Sequence, residues 1–226
     1  VWCFATLTRW AIVAGAVILA AGIAVYAVTV ACVVAGAREP RPVVLHVWAA
    51  IAALVPAAAL ALALGLDFGS AVLVDHGRVA VAHLVLAAFG FMGMLALGLS
   101  HVLIPMFVIS EAPDGRAAEL SLAVAVTALV AAVMGLLIDV SWLIAAGVFA
   151  GLASCGLHIA LMARSLGQRV RRRLGPEFIL IRTSWGLLPL TLALALALTL
   201  DLLPSGGPAL FGFVLLFGWL LTLLTG

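Results

Sequence analysis

Residues 79–109 read VAVAHLVLAAFGFMGMLALGLSHVLIPMFVI, without a single Asp, Glu, Lys or Arg. A helix needs about 20 apolar residues to cross the ~30 Å hydrocarbon core of a bilayer. This stretch exceeds that length, and it carries two histidines, His83 and His101. Working outward, six more stretches meet the same test: 9–36, 43–66, 119–138, 141–163, 178–203 and 208–226. The links between them are charged or rich in Pro and Gly: REPRP at 38–42, LDFGSAVLVDHGR at 66–78, EAPDGRAAE at 111–119 and RSLGQRVRRRLGPE at 164–177. The turn around Asp139–Ser141 is very short and predicts a tight antiparallel hairpin. The expected fold is all-α, a polytopic transmembrane helix bundle of about seven spans, forming a single transmembrane domain over 1–226. The chain starts at Val1 rather than Met and ends at Gly226 in or just after an apolar run, so one or both ends are expected to be incomplete.

Composition points the same way. Of 226 residues, 67% are hydrophobic and 9% charged, against about half and about a quarter in an ordinary soluble domain. A soluble fold of this size must still present a polar exterior, and a bilayer removes that requirement. The net charge of +2 is too small to argue for nucleic acid. The basic residues are all Arg, and they sort by side. Arg38, Arg41, Arg116, Arg164, Arg169, Arg171, Arg172 and Arg173 fall in alternate links on one side, with Arg182 just inside it; only Arg9 and Arg78 fall on the other. The positive-inside rule places the first set in the cytoplasm. The RVRRR run at 169–173 is explained by topology, with anionic lipid or a partner as the alternative. Pro56, Pro105 and Pro189 lie within spans, where each removes a backbone donor and kinks a helix. The LALALALTL run at 192–200 alternates like a strand, but an open strand edge is forbidden in lipid, so helix is expected. Cys3, Cys32 and Cys155 form no CxxC or CxxCH motif and are read as buried reduced thiols.

Polar side chains inside a span are costly and usually face protein or a cofactor. By depth, His83 lies near the outer end of the third span, with His76 in the link before it. His46, His101 and His158 lie in the inner halves of spans two, three and five. His83 and His101 are 18 residues apart, five whole turns at 100° per residue, which predicts that both point the same way about 27 Å apart. Ala87, Gly90 and Met94 lie on that face between them, with Gly93 and Gly98 alongside. Gly147, Gly151, Ser154 and His158 share one face of span five. Gly147-x-x-x-Gly151 reads as helix packing, with a cofactor groove as the alternative. Each histidine is either a hydrogen-bonding residue of the bundle or an axial ligand, for haem iron or for the magnesium of a chlorophyll. No HxxxH, HH or HxxE pattern occurs, so a copper or zinc cluster is not expected.

Span three carries a resemblance. Arg78, His83, Gly90-Phe91, Gly93, Gly98, Ser100 and Pro105-Met106-Phe107 stand in an order similar to the early haem-ligand helix of the heme-copper oxidase superfamily. The nearest branch is that of the nitric oxide reductases and cbb3-type oxidases, and subunit-I-like membrane proteins. About 30 of the 226 residues are covered. The resemblance implies a haem-binding protein of electron transfer in a bacterial inner membrane, with His83 as axial ligand to haem b and Arg78 beside a propionate. His101, His158, His46 and Met94 are further cofactor-binding candidates. The copper-binding histidine and the adjacent histidine pair of that superfamily's catalytic centre have no counterpart here, and Tyr26, the single tyrosine, lies near no histidine in sequence. An oxidoreductase component is thus implied, without a complete catalytic centre. The alternative is a structural or accessory subunit of a respiratory or photosynthetic complex, binding lipid or bacteriochlorophyll, with other membrane subunits or a homo-oligomer as partners. A transporter is disfavoured, because no Asp, Glu, Lys or Arg sits mid-span and no repeat is visible.

Overall fold

The computed structural model describes residues 8–38, 40–68, 72–171 and 173–226. Cys3 and Arg172 lie outside these, and so does the side chain of Arg9. Seven long apolar helices result: α1 (Arg9–Ala35), α2 (Arg41–Asp67), α3 (His76–Val108), α4 (Gly115–Ile138), α5 (Ser141–Gly167), α6 (Glu177–Thr199) and α7 (Gly207–Thr225). Each is long and apolar enough to span a membrane, so the chain is an all-α, multi-pass membrane protein.

Local chemistry fixes the ends. The Asp75 carboxylate accepts from the Arg78 N–H at 3.0 Å and starts α3 at His76, three residues before the apolar run begins. Asp114 does the same for α4 through the Arg116 N–H, again at 3.0 Å. Both are N-caps that satisfy a donor with no intrahelical partner. At the other ends, Ile109 and Asp139 take left-handed backbone conformations with φ of 55° and 59°. Asp139 makes the expected tight hairpin, in which the Val140 N–H reaches Gly135 O at 2.8 Å. The alternating run at 192–200 is helix up to Thr199, as lipid requires.

Successive crossings gather the links at two ends. At one, Arg41 pairs with Glu119 at 3.0 Å, tying α2 to α4. At the same end the Val170 and Arg171 N–H groups donate to Ile109 O and Val108 O at 3.1 and 3.3 Å. Arg169 donates to Leu166 O at 2.8 Å and Arg171 to Phe107 O. Part of the RVRRR run therefore caps the exposed carbonyls of α3 and α5, a role beyond topology. At the opposite end Arg78 pairs with Asp75 at 2.9 Å and Asp139 at 2.7 Å. Asp67 accepts there from His76 at 2.8 Å and from the Leu73 N–H at 2.6 Å.

α3 is the hub, touching α2, α4, α5 and α7, whereas α1 lies along α2 at the periphery. Two departures from regular α-helix stand out: π-helical turns at Leu86–Gly93 in α3 and Val214–Leu220 in α7. They face each other, and Phe89 stacks on Trp219 with ring centres 5.1 Å apart. A π turn closes i→i+5 instead of i→i+4 bonds and advances the helix phase. The expected common face of His83 and His101 assumed uninterrupted α geometry; the π turns interrupt it, yet both histidines meet α2, His83 at Ala57 O and His101 at the His46 ring. Gly90 now faces Ala53 of α2 and Leu129 of α4, while Gly93 faces Trp219 of α7. The thiols also divide: Cys155 is buried as expected, but Cys32 is exposed on α1, because that helix has few protein neighbours.

Candidate functional site

The structure brings three of the five histidines together. His46 of α2, His101 of α3 and His158 of α5 form a row, with ring centres 5.1 and 5.2 Å apart and planes tilted by 45° and 52°. All three are buried. Gly98 makes the row possible. A side-chain carbon there would collide with the Cβ of His46 and come within 3.0 Å of its Cγ, so only glycine lets α2 and α3 cross closely enough to set His46 beside His101.

Hydrogen bonds fix the ring nitrogens. The His101 Nδ1–H donates to Leu97 O at 2.8 Å. The His46 Nδ1–H donates to Pro42 O at 2.7 Å. Both neutral rings then present Nε2 as an unprotonated lone pair. The Nε2 of His101 is buried and has no partner. His158 is held the other way. Ser100 Oγ donates to Leu97 O at 2.6 Å, so its 3.3 Å contact with His158 Nε2 takes the proton from the imidazole. Beside the row, Ser121 and Ser154 bond reciprocally across α4 and α5: Ser154 Oγ donates to Ser121 O at 2.8 Å, and Ser121 Oγ to Ser154 O at 3.2 Å. The sequence reading named Ser100 and Ser154 without these partners, and it passed over Ser121. Their signal was present, since each is a polar residue in the inner half of an apolar span.

His83 stands apart. Its Nδ1–H donates across helices to Ala57 O of α2 at 2.9 Å. Its side chain is half-buried, and its Nε2 also carries a lone pair. Arg78, five residues earlier, is engaged by Asp75 and Asp139. Met94 is buried against Ala50 and Leu122.

A ring nitrogen that holds a metal needs its other N–H committed to an acceptor, usually a carbonyl or carboxylate. His46, His83 and His101 meet that condition. The row does not converge on a point, and among the described residues no group of three or more His, Cys, Asp or Glu is placed to hold a metal ion. A haem macrocycle asks for space as well as a donor. His101 is flanked by His46 and His158 and has little. His83, which reaches from α3 to α2, is only half-buried. A committed Nδ1–H and incomplete burial therefore coincide at His83.

A partly open cavity of about 770 Å³ also lies between α3, α4, α5, α6 and α7. It is bordered by Met94, Gly151, Ser154 and Cys155, and by none of the histidines. Gly147 and Gly151 part company here. A side-chain carbon on Gly147 would fall 2.6 Å from Ala132 N and 2.8 Å from Ala128 O, so it is a helix-packing glycine. One on Gly151 would touch only side chains at ordinary distances, the nearest being Leu192 at 3.5 Å.

Comparison of the chain with protein-family models, curated proteins and solved structures gives no match at a significant level.

Proposed function

We propose that this chain is a haem-binding integral membrane protein of electron transfer, similar to subunit I of the heme-copper oxidase superfamily, with His83 as an axial ligand to haem b. The observation that carries the proposal is the setting of His83: its Nδ1–H is committed to Ala57 O at 2.9 Å, and its side chain is only half-buried. Commitment of one ring nitrogen fixes the tautomer and orientation that an axial ligand needs. The Arg78–His83–Gly90–Phe91–Gly93 order supports the same reading. When bound, the haem supplies one-electron chemistry. The protein holds the imidazole and keeps water from its buried side. His101 and His46, with the same tautomer, form a second ligand-competent place on the Arg-rich side. The positive-inside rule makes that side cytoplasmic, in a bacterial inner membrane.

Haem extraction of the purified full chain into alkaline pyridine tests this, with His83→Ala, His101→Ala and His46→Ala in parallel. The expected result is haem b in the wild type, lost in His83→Ala and retained in His46→Ala. Wild-type protein from haem-replete cells that yields no haem overturns the proposal. If the extract holds bacteriochlorophyll instead, the accessory-subunit reading replaces it, because the same imidazole lone pair ligates magnesium.

A further inference from the structure

The 770 Å³ cavity is a site that neither the histidines nor the haem reading uses. That volume falls within the range of about 300–1,000 Å³ typical of small-molecule sites, and protein interiors rarely leave such space unfilled. Its long axis follows the helices. Along α5 the lining runs from Ile144 to Cys155, about 16 Å at 1.5 Å per residue. The lining extends from Met94, Ser154 and Cys155 at mid-bundle to Asp201, Pro204 and Ser205 at the end away from the Arg-rich links. The walls are mostly apolar, with Ser154, Thr199 and Ser205 among them, and Asp201 is the only charged side chain bordering the cavity among the described residues.

Two features show that the wall is built. The π turns of α3 and α7 meet at it, and their stacked Phe89 and Trp219 form part of its lining. Such turns sacrifice regular hydrogen bonding and are frequent at functional sites. Gly151 opens the opposite side, where a larger residue would occupy the space without striking backbone.

We infer that this cavity binds a single-chain amphiphile bearing an ammonium head, with the chain between Phe89–Trp219 and Gly151 and the head at Asp201. A lining that runs about 16 Å along the helices matches the length of one extended chain in a bilayer leaflet. A carboxylate on the rim of a low-dielectric cleft attracts a cation and repels an anionic head.

The test uses the full chain in phosphatidylcholine nanodiscs and three probes, 9,10-dibromooctadecylamine and the matching dibromo alcohol and dibromo carboxylate. Bromine quenches nearby tryptophan, and subtraction of the Trp219→Phe signal isolates Trp219. The amine is expected to quench Trp219 saturably, at about tenfold lower concentration than the carboxylate, a difference of one modest ion pair. Asp201→Asn should remove that preference, and Gly151→Leu should abolish saturation. Ala195→Leu, on the same wall, repeats the block if Gly151→Leu does not fold. Unsaturable quenching that is equal for the three probes and unchanged in the blocked variants means bilayer partitioning, and overturns the inference. So does the absence of Trp219 quenching in the wild type, which would mean that lipid or protein already fills the space.

Discussion

Gly98 and His46 meet where α2 crosses α3, and that contact decides whether the histidine row exists. Gly98→Ala adds one carbon where there is no room, and overpacking costs about 1–3 kcal/mol. The expected result is a lower unfolding midpoint in detergent, because the added carbon pushes the His46 ring away from His101; a midpoint equal to wild type would refute the close crossing. The Ser121–Ser154 pair is a milder case. Interhelical hydrogen bonds in membranes are worth about 0.5–1.5 kcal/mol, so Ser154→Ala should destabilise by an amount in that range, measured by denaturant titration. The depth of each histidine was legible from its place in a span, and depth correctly separated His83 from His46, His101 and His158. Their assembly into a row was not legible. It depends on how three helices cross, and neither the glycine at 98 nor the serine at 100 carries a partner's address in the sequence.

At the scale of elements, the seven helices follow from charge-free runs interrupted by Asp, Arg, Pro and Gly. The N-caps at Asp75 and Asp114 explain why α3 and α4 begin earlier than hydropathy alone suggested. The π turns were invisible. Leu86–Gly93 and Val214–Leu220 are as apolar as their surroundings, and it is the stacking of Phe89 on Trp219 that accompanies their altered phase. Both histidines still meet α2, so the altered pitch between them carries neither off that helix. The GxxxG motif yields a contrast for testing. Gly147→Leu should break the α4–α5 hairpin, because its side chain would enter the backbone of Ala128 and Ala132. Gly151→Ala should leave stability within about 0.5 kcal/mol of wild type, as substitutions away from tight contacts do. Folded yield and thermal midpoint read both, and equal damage from the two would refute the distinction.

For the whole molecule, two clamps tie the ends of the bundle: Arg78 with Asp75 and Asp139 at one, and Arg41 with Glu119 beside the Arg169–Arg171 caps at the other. Exposed ion pairs contribute only about 0–1 kcal/mol each, so the clamps set how helices meet more than how strongly they hold. Orientation is testable by labelling single cysteines in a cysteine-free background. Ser205→Cys should react with an impermeant maleimide in cells whose outer membrane is permeabilised, and Gln168→Cys only after the inner membrane is opened. The reverse pattern would invert the topology and move His83 to the cytoplasmic side. The proposed role of His83 is to hold a haem. The reduced-minus-oxidised visible spectrum of the full chain, purified in mild detergent from haem-replete cells, tests it most directly. The wild type should show the sharp α-band of a b-type haem, and His83→Ala of equal folded yield should lack it. A featureless wild-type spectrum, or an α-band undiminished in His83→Ala, would contradict it.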